Sequence, residues 1–316
     1  MRPAPRQARV RAFAKINLAL KVLNRRADGY HELRTVFQTV SLADTLDIDF
    51  TAGPRTSIEV RGAPEIPDNL IERAARLALE AMRITGRVRF GLTKRIPVGA
   101  GLGGGSSDAA AVLLALPVLA GKNVLLEELI ELAAELGSDV PFFLLGGRAV
   151  ALGRGTELYP LPERRSGPAL LVAPELHIST AEAYRALGRE LTSGPPQSMI
   201  SSFQSCIWQE IEGPPERLGE NDFEALVLER HPGLKSLRRK LEKLGANPAM
   251  LSGSGSALFG VFDSRQALER ARRSFQKEKV FPISLVSRAR YRGMWWRRLQ
   301  AHTTGKLWPP QSRYAP

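Results

Sequence analysis

The chain has 316 residues, 43% of them hydrophobic, a formal net charge of +13 and one cysteine, Cys206. Its length favours two domains or one large one, its apolar content supports a sizeable core and argues against wholesale disorder, and a lone cysteine excludes an intrachain disulfide or a cysteine-rich metal site. The best apolar run, 109–120, carries Pro117 and falls short of the roughly 20 residues of a membrane span, and no secretory signal follows the polar, proline-rich start, so a soluble, cytoplasmic protein is expected.

Strand patterns come first. Ala14, Ile16, Leu18 and Leu20 alternate with Lys15, Asn17, Ala19 and Lys21, the period of a strand whose polar members face solvent. Asp28-Gly29 is a turn signal, and 33–41 and 45–50 read as two further strands. Asn69 can cap a helix running to about 83, with Leu70, Ala74, Leu77 and Ala81 at helical spacing. A strand is expected over 87–95, then a glycine-rich loop, then a helix over 106–116 that Pro117 and Gly121 stop. A helix over 125–136 and short strands at 148–152 and 170–173 follow. Residues 192–219, rich in Ser, Pro, Gly and Gln, read as a long surface excursion. Helices at 223–229 and 234–244, strands at 249–251 and 257–262, a helix at 265–277 and a last strand at 283–288 complete the pattern. The irregular mixture points to an α+β fold rather than a doubly wound parallel sheet.

The glycine loop carries the strongest chemical signal. Pro97, Val98, Gly99, Ala100, Gly101, Leu102, Gly103, Gly104, Gly105, Ser106 and Ser107 join a strand to a helix N-terminus, with five glycines in seven positions. Glycine loses more backbone freedom on folding than any other residue, so such a cluster belongs where a chain turns tightly or lies against a ligand. Free N–H groups and the positive end of the helix dipole converge there, which suits phosphate. No lysine follows Gly105, which excludes the P-loop pattern. Gly99, Gly101 and Gly104 fit a dinucleotide-binding spacing, but the region about 20 residues on reads as helix instead of ending a strand with an acid. A nucleotide phosphate site on a different scaffold is the better reading.

Three segments carry a resemblance. Ala14-Lys15-Ile16-Asn17-Leu18, the loop from Pro97 to Ser107, and Leu251-Ser252-Gly253-Ser254-Gly255-Ser256-Ala257 are similar, in residues, order and spacing, to the kinase superfamily that includes galactokinase, homoserine kinase, mevalonate kinase and phosphomevalonate kinase. Three narrower segments are Arg26-Ala27-Asp28-Gly29-Tyr30-His31, Asp68-Asn69-Leu70-Ile71 and Gly137-Ser138-Asp139-Val140-Pro141-Phe142. Within the superfamily they resemble the 4-diphosphocytidyl-2-C-methyl-D-erythritol kinases of non-mevalonate isoprenoid synthesis. The match spans roughly 8–290.

That resemblance implies a two-domain small-molecule kinase fold. A mixed-sheet N-terminal domain over 1–162 would hold the nucleotide loop. A smaller ferredoxin-like domain would follow over 163–292, and a basic tail over 293–316. It implies ATP and Mg²⁺ as cofactors, the 2-hydroxyl of a cytidine diphosphate compound as acceptor, and a monomer or weak homodimer with no nucleic acid or membrane partner. Asp139 matches the catalytic base and Lys15 the catalytic lysine, paired across the cleft. Asn17 would touch substrate, Asn69 would help near ATP, and Ser107 is a candidate Mg²⁺ ligand. Tyr30 and His31 are assigned to the cytidine end, with Tyr184 as a second aromatic beside the base.

Read without the resemblance, Asp139 is a helix cap, Lys15 a solvent-facing strand residue, Asn69 a cap, and Tyr30 and His31 turn residues. Two alternatives stand beside the cytidyl kinase: a related kinase acting on another small alcohol, and a nucleic-acid- or membrane-binding protein on a kinase scaffold. The second is motivated by the charge and by seven Lys/Arg with no acid from Arg288 to Pro316.

Overall fold

The computed structural model describes residues 6–63, 69–163, 167–187, 201, 204, 220–303 and 308–314. Apart from Ser201 and Gln204, the excursion expected over 192–219 lies outside the described residues.

The fold is α+β, built on two sheets. Strands β1 (Arg6–Arg25) and β2 (His31–Ala52) form a long antiparallel hairpin closed at Asp28-Gly29, where Gly29 has φ +84° and Asp28 accepts from the Tyr30 N–H. One edge of β2 pairs with β1. Its other edge pairs with β4 (Gly86–Thr93) along one half and β5 (Arg148–Gly153) along the other. Short strands β3 (Ser57–Arg61), parallel to β4, and β6 (Glu157–Pro160) form the edges. The second sheet is antiparallel, in the order β10-β7-β9-β8, from β7 (Ala169–Ala173), β8 (Ala249–Leu251), β9 (Leu258–Val261) and β10 (Lys279–Ile283).

Helices α1 (Leu70–Ala81), α2 (Gly104–Ala120), α3 (Leu126–Leu136) and α4 (Val140–Leu145) cover the first sheet and form one core with it. Helices α5 (Thr180–Leu187), α6 (Asp222–Arg230), α7 (Pro232–Lys243) and α8 (Arg265–Ser274) pack with the second sheet around Leu170, Val172, Leu251 and Leu258. A third cluster joins Ile16, Leu18, Val36 and Val40 of the first sheet to Leu171, Met250 and Phe259 of the second. β1 is therefore buried on both faces, and Lys15 and Asn17, read from the sequence as a solvent face, are only 4% and 3% exposed. The side-chain phase of β1 changes at the register shift between Phe13 and Lys15. Val10 and Ala12 pack with the helices, whereas Ala14 and Ile16 pack between the sheets. A shift in register exchanges the faces of a strand, and this one turns Lys15 and Asn17 away from the intersheet cluster.

Several boundaries differ from the sequence reading. The two strands expected over 33–50 are one strand. The expected gap at Asp44 stays extended because its buried carboxylate accepts from the Arg95 and Ile96 N–H groups and from Lys94. Helix α2 does not stop before Pro117 but runs to Ala120. It is buried along most of its length, so packing outweighs the roughly 3 kcal/mol that an interior proline costs, and Gly121, at φ +68°, ends it. The last strand is 279–283 rather than 283–288. Pro282 is tolerated there because β10 is a sheet edge.

Helix α9 (Arg288–Leu299) begins where that strand was expected to end, with Ser287 accepting from the Arg290 N–H. Within the stretch read as a basic tail, Trp295, Leu299 and Trp308 are buried in the core of the first sheet, as is Tyr291 one turn earlier.

Candidate active site

Glycines 99, 101 and 103 all have φ between +68° and +77°, while Ala100 and Leu102 between them are buried in the intersheet cluster. Left-handed glycines alternating with anchored residues turn successive backbone N–H groups toward one side, the geometry of an anion nest. The loop ends at Gly103, the N-cap of α2, so free helix N–H groups add to it. Three backbone contacts fix the loop. Leu102 accepts from the Lys15 N–H (3.0 Å), Ala100 accepts from the Ala257 N–H (3.2 Å), and Gly101 accepts from the Ser252 hydroxyl (3.2 Å). Asn221 holds the 252–256 turn from behind, donating to the carbonyls of Leu251 and Gly253.

Lys15 Nζ lies inside this frame. It donates to Asn17 Oδ1 at 2.7 Å, sits 3.5 Å from Asp139 Oδ2, and stands over the Phe37 ring at 5.1 Å. Asn17 in turn donates to Thr35, and Thr35 to the Ala19 carbonyl. That chain leaves the ammonium little freedom. Asp139 occupies the N-cap position of α4 but makes no side-chain cap bond. Its side chain is 32% exposed, so one face is open. Gly103 packs against the lysine: a Cβ there would lie 2.9 Å from Phe143 and 3.2 Å from Lys15 Cγ.

These groups line one cavity of about 1290 Å³. Of the residues expected from the sequence, it brings together Lys15, Asn17, Tyr30, His31, Asn69, Pro97 to Ser106, Asp139 and Tyr184. Ser107 is not on its wall. That side chain is buried, and its hydroxyl has no hydrogen-bond partner. Asn69 does cap α1, accepting from the Ile71 N–H, while also facing the cavity. At the far end His31 stacks on Tyr184, with ring centroids 5.0 Å apart, and Tyr184 meets Phe223 edge to face. Burial and the nearby Arg25 lower the His31 pKa, which favours a neutral ring. Burial and the Asp139 charge push the Tyr184 phenol up. Tyr30 is 52% exposed, with the Arg154 guanidinium 4.7 Å from its ring centroid.

Sequence reasoning missed three features of the cavity. Arg25, Arg154 and Arg185 line its aromatic end, and Thr180 lines its side, 3.1 Å from Ser254. Gly253 and Ser254, within the Leu251–Ala257 segment that carried the resemblance, face it as well, with Gly253 over Lys15 and Asn17. Lys94, on the wall beside the loop, bridges Asp44 (2.6 Å) and Asp108 (2.7 Å). Burial pushes the Asp108 carboxyl up to about 7; Lys94 opposes the shift and Asp44 adds to it. None of these partners is near the others in sequence. The only available signal was a lone acid near the start of a largely apolar helix.

The raised Asp108 pKa has a definite sign. Between about pH 4 and 7 the folded carboxyl keeps a proton that the unfolded chain has released, so its contribution to stability falls as pH rises through that window. Asp108→Asn removes this titration. Urea unfolding at pH 5 and pH 8 is expected to show a smaller loss of stability with rising pH in Asp108→Asn than in the wild type. Parallel pH profiles would refute the assignment.

Residues 69–147 match the family described as GHMP kinases N terminal domain, and residues 209–280 match GHMP kinases C terminal. The 4-diphosphocytidyl-2-C-methyl-D-erythritol kinase of Solibacter usitatus is 55% identical, covering 98% of this chain and 99% of that one. The enzyme of the same name from Geobacter sp. strain M21 is 39% identical over 85% of this chain and 94% of its own. Among solved structures, a 4-(cytidine 5'-diphospho)-2C-methyl-D-erythritol kinase superposes with a TM-score of 0.74 at 39% identity, covering 88% of this chain and 98% of that one. Homoserine kinase from Cytophaga hutchinsonii, at 19% identity and a TM-score of 0.68, covers 91% of this chain and 97% of its own and shares the fold.

Proposed function

Because the chain belongs to the 4-diphosphocytidyl-2-C-methyl-D-erythritol kinases of the GHMP kinase superfamily, we propose that Lys15 and Asp139 are the catalytic pair of its phosphoryl transfer. The enzyme moves the γ-phosphoryl group of ATP to the 2-hydroxyl of 4-diphosphocytidyl-2-C-methyl-D-erythritol, a step of non-mevalonate isoprenoid synthesis.

The observation that supports the pair is the 3.5 Å approach of Lys15 Nζ to Asp139 Oδ2 beside Gly103. ATP lies with its phosphates against residues 97–106 and the start of α2. The substrate hydroxyl donates to Asp139, its oxygen attacks the γ-phosphorus, Asp139 receives the proton, and ADP leaves. Lys15, held by Asn17, balances the carboxylate and the negative charge shared by the transferring oxygens. Positioning and charge stabilisation supply most of the rate in such a transfer.

Mg²⁺, when bound, neutralises phosphate charge. Ser107, the side chain expected beside it from the sequence, is buried off the cavity wall, so no side chain is assigned to it. The described residues contain no cluster of three or more His, Cys, Asp or Glu for a protein-only cage, which suits an ion held mainly by phosphate oxygens and water. Asn69 supports the nucleotide end.

The cytidine end is assigned to Tyr30, His31 and Tyr184, with Arg25 and Arg154 facing the substrate diphosphate. Neutral His31 offers one ring nitrogen as donor and the other as acceptor to a base edge. No helix among the described residues is long and apolar enough to cross a membrane. On the same proposal the enzyme acts in the cytoplasm as a monomer or weak homodimer.

A coupled ADP assay tests the substrate end. His31→Ala is expected to raise KM for the cytidyl substrate roughly tenfold to a hundredfold, the value of one or two lost base contacts. KM for ATP should change less than about threefold. Equal increases in both KM values would contradict the division of the cavity.

A further inference from the structure

The basic C-terminal helix builds a second cavity that the kinase reaction does not use. It has a volume of about 320 Å³ and is walled by Val10, Arg11 and Phe13 of β1 and by Met294, Trp295, Arg297 and Arg298 of α9. It shares no wall residue with the larger cavity.

Three arginines and no carboxylate line it. Neighbouring strand residues show the ordinary alternative: Arg9 pairs with Asp47 at 2.6 Å and Arg89 with Asp49 at 3.0 Å. Arg11 instead donates to the Ser41 carbonyl and lies 4.8 Å from the Phe13 ring centroid. Among the described residues Arg11, Arg95, Arg290, Arg297 and Arg298 form no ion pair. Burial, then Arg95, Arg290 and Arg298, lower the Arg11 pKa, so the guanidinium is held in a positive field with no carboxylate paired to it among the described residues. Like charges gathered at one place destabilise a fold, and a bound anion reverses the sign of that contribution.

The remaining wall is apolar: Val10, Phe13 and Trp295 are buried, and Met294 half-buried. Arginine recognises phosphate oxygens through paired N–H donors, and an apolar floor takes hydrocarbon. We infer that this cavity is a binding site for a small phosphorylated apolar molecule of the alkyl diphosphate class. Its charged end would lie among Arg11, Arg297 and Arg298, and its hydrocarbon on Phe13, Met294 and Trp295. A membrane surface fits less well. A helix lying on lipid needs an exposed apolar face, whereas Tyr291, Trp295 and Leu299 are turned into the core and only Trp296 is exposed. The small volume likewise disfavours a nucleic acid.

The test is isothermal titration of the full-length protein with butyl diphosphate and with inorganic pyrophosphate. A non-hydrolysable ATP analogue and 4-diphosphocytidyl-2-C-methyl-D-erythritol, both at saturation, keep the two ends of the kinase cavity occupied. Butyl diphosphate is expected to bind about tenfold or more tightly than pyrophosphate. Arg11→Gln and Arg298→Gln should each weaken it about tenfold or more while kinase activity stays at the wild-type level, which shows that the variants fold. Absence of binding, equal affinity for pyrophosphate, or unchanged affinity in both variants would overturn the inference. So would capture by anionic phosphatidylglycerol vesicles or by single-stranded RNA without binding of the soluble diphosphate.

Discussion

Asp139→Asn is expected to lower kcat roughly 10²- to 10⁴-fold, the usual loss when a positioned proton acceptor is removed. Asparagine keeps the shape of the side chain but cannot take the hydroxyl proton or carry a charge. It also leaves the Lys15 ammonium, 5% exposed, with Asn17 Oδ1 as its hydrogen-bond acceptor, an uncompensated buried cation. ATP binding should survive. The glycine loop is held by the 252–256 turn and by the backbone N–H of Lys15, and neither anchor uses the Asp139 side chain. KM for ATP is therefore expected within about threefold of wild type. Steady-state assays over both substrates measure this, and a kcat within a few-fold of wild type would remove Asp139 from the chemistry.

The second large effect concerns the loop itself. Gly101 has φ +77°, and a Cβ there would stand 2.3 Å from the Ser252 carbonyl oxygen and 3.1 Å from that of Gly255. Both obstacles are backbone, so neither moves away cheaply. Gly101→Ala adds the left-handed penalty of about 1–2 kcal/mol to an overpacking cost of about 1–3 kcal/mol. The strain is relieved by parting the glycine loop from the 252–256 turn. A melting temperature lower by several degrees and a raised KM for ATP are expected together.

Gly105 is the internal control. It lies in the first turn of α2, its φ is not in the left-handed region, and a Cβ there meets only Leu70 Cδ1 at 3.6 Å. Gly105→Ala should leave the melting temperature unchanged or slightly raised, because alanine restricts the unfolded chain. Equal destabilisation by the two substitutions would show that the loop geometry is not what limits residue choice.

Much of this architecture was legible because local signals and packing agree. Asn69 caps α1 as its sequence suggests, and the glycine cluster does join a strand to a helix N-terminus. Other features depended on contacts that no window contains. Alternating Lys15 and Asn17 read as a solvent face, and only the glycine loop, α4 and the 252–256 turn, packed around them, reverse that. Asp44, Lys94 and Asp108 meet across 50 and 14 residues of chain. Arg154 reaches Tyr30 from a different strand connection.

One omission had a signal that was outweighed. Tyr291, Trp295 and Leu299 form an i, i+4, i+8 stripe that predicts a buried helix face, but the surrounding arginines suggested a solvated tail.

The most direct test of the catalytic pairing is a double-mutant cycle on kcat/KM for 4-diphosphocytidyl-2-C-methyl-D-erythritol, using wild type, Lys15→Met, Asp139→Asn and the double variant. Groups that act as a unit lose their function once. The double variant should therefore be no more than about threefold slower than the slower single variant. Losses that multiply across the two substitutions would mean that the amine and the carboxylate work independently, and the pairing drawn from their 3.5 Å approach would be wrong.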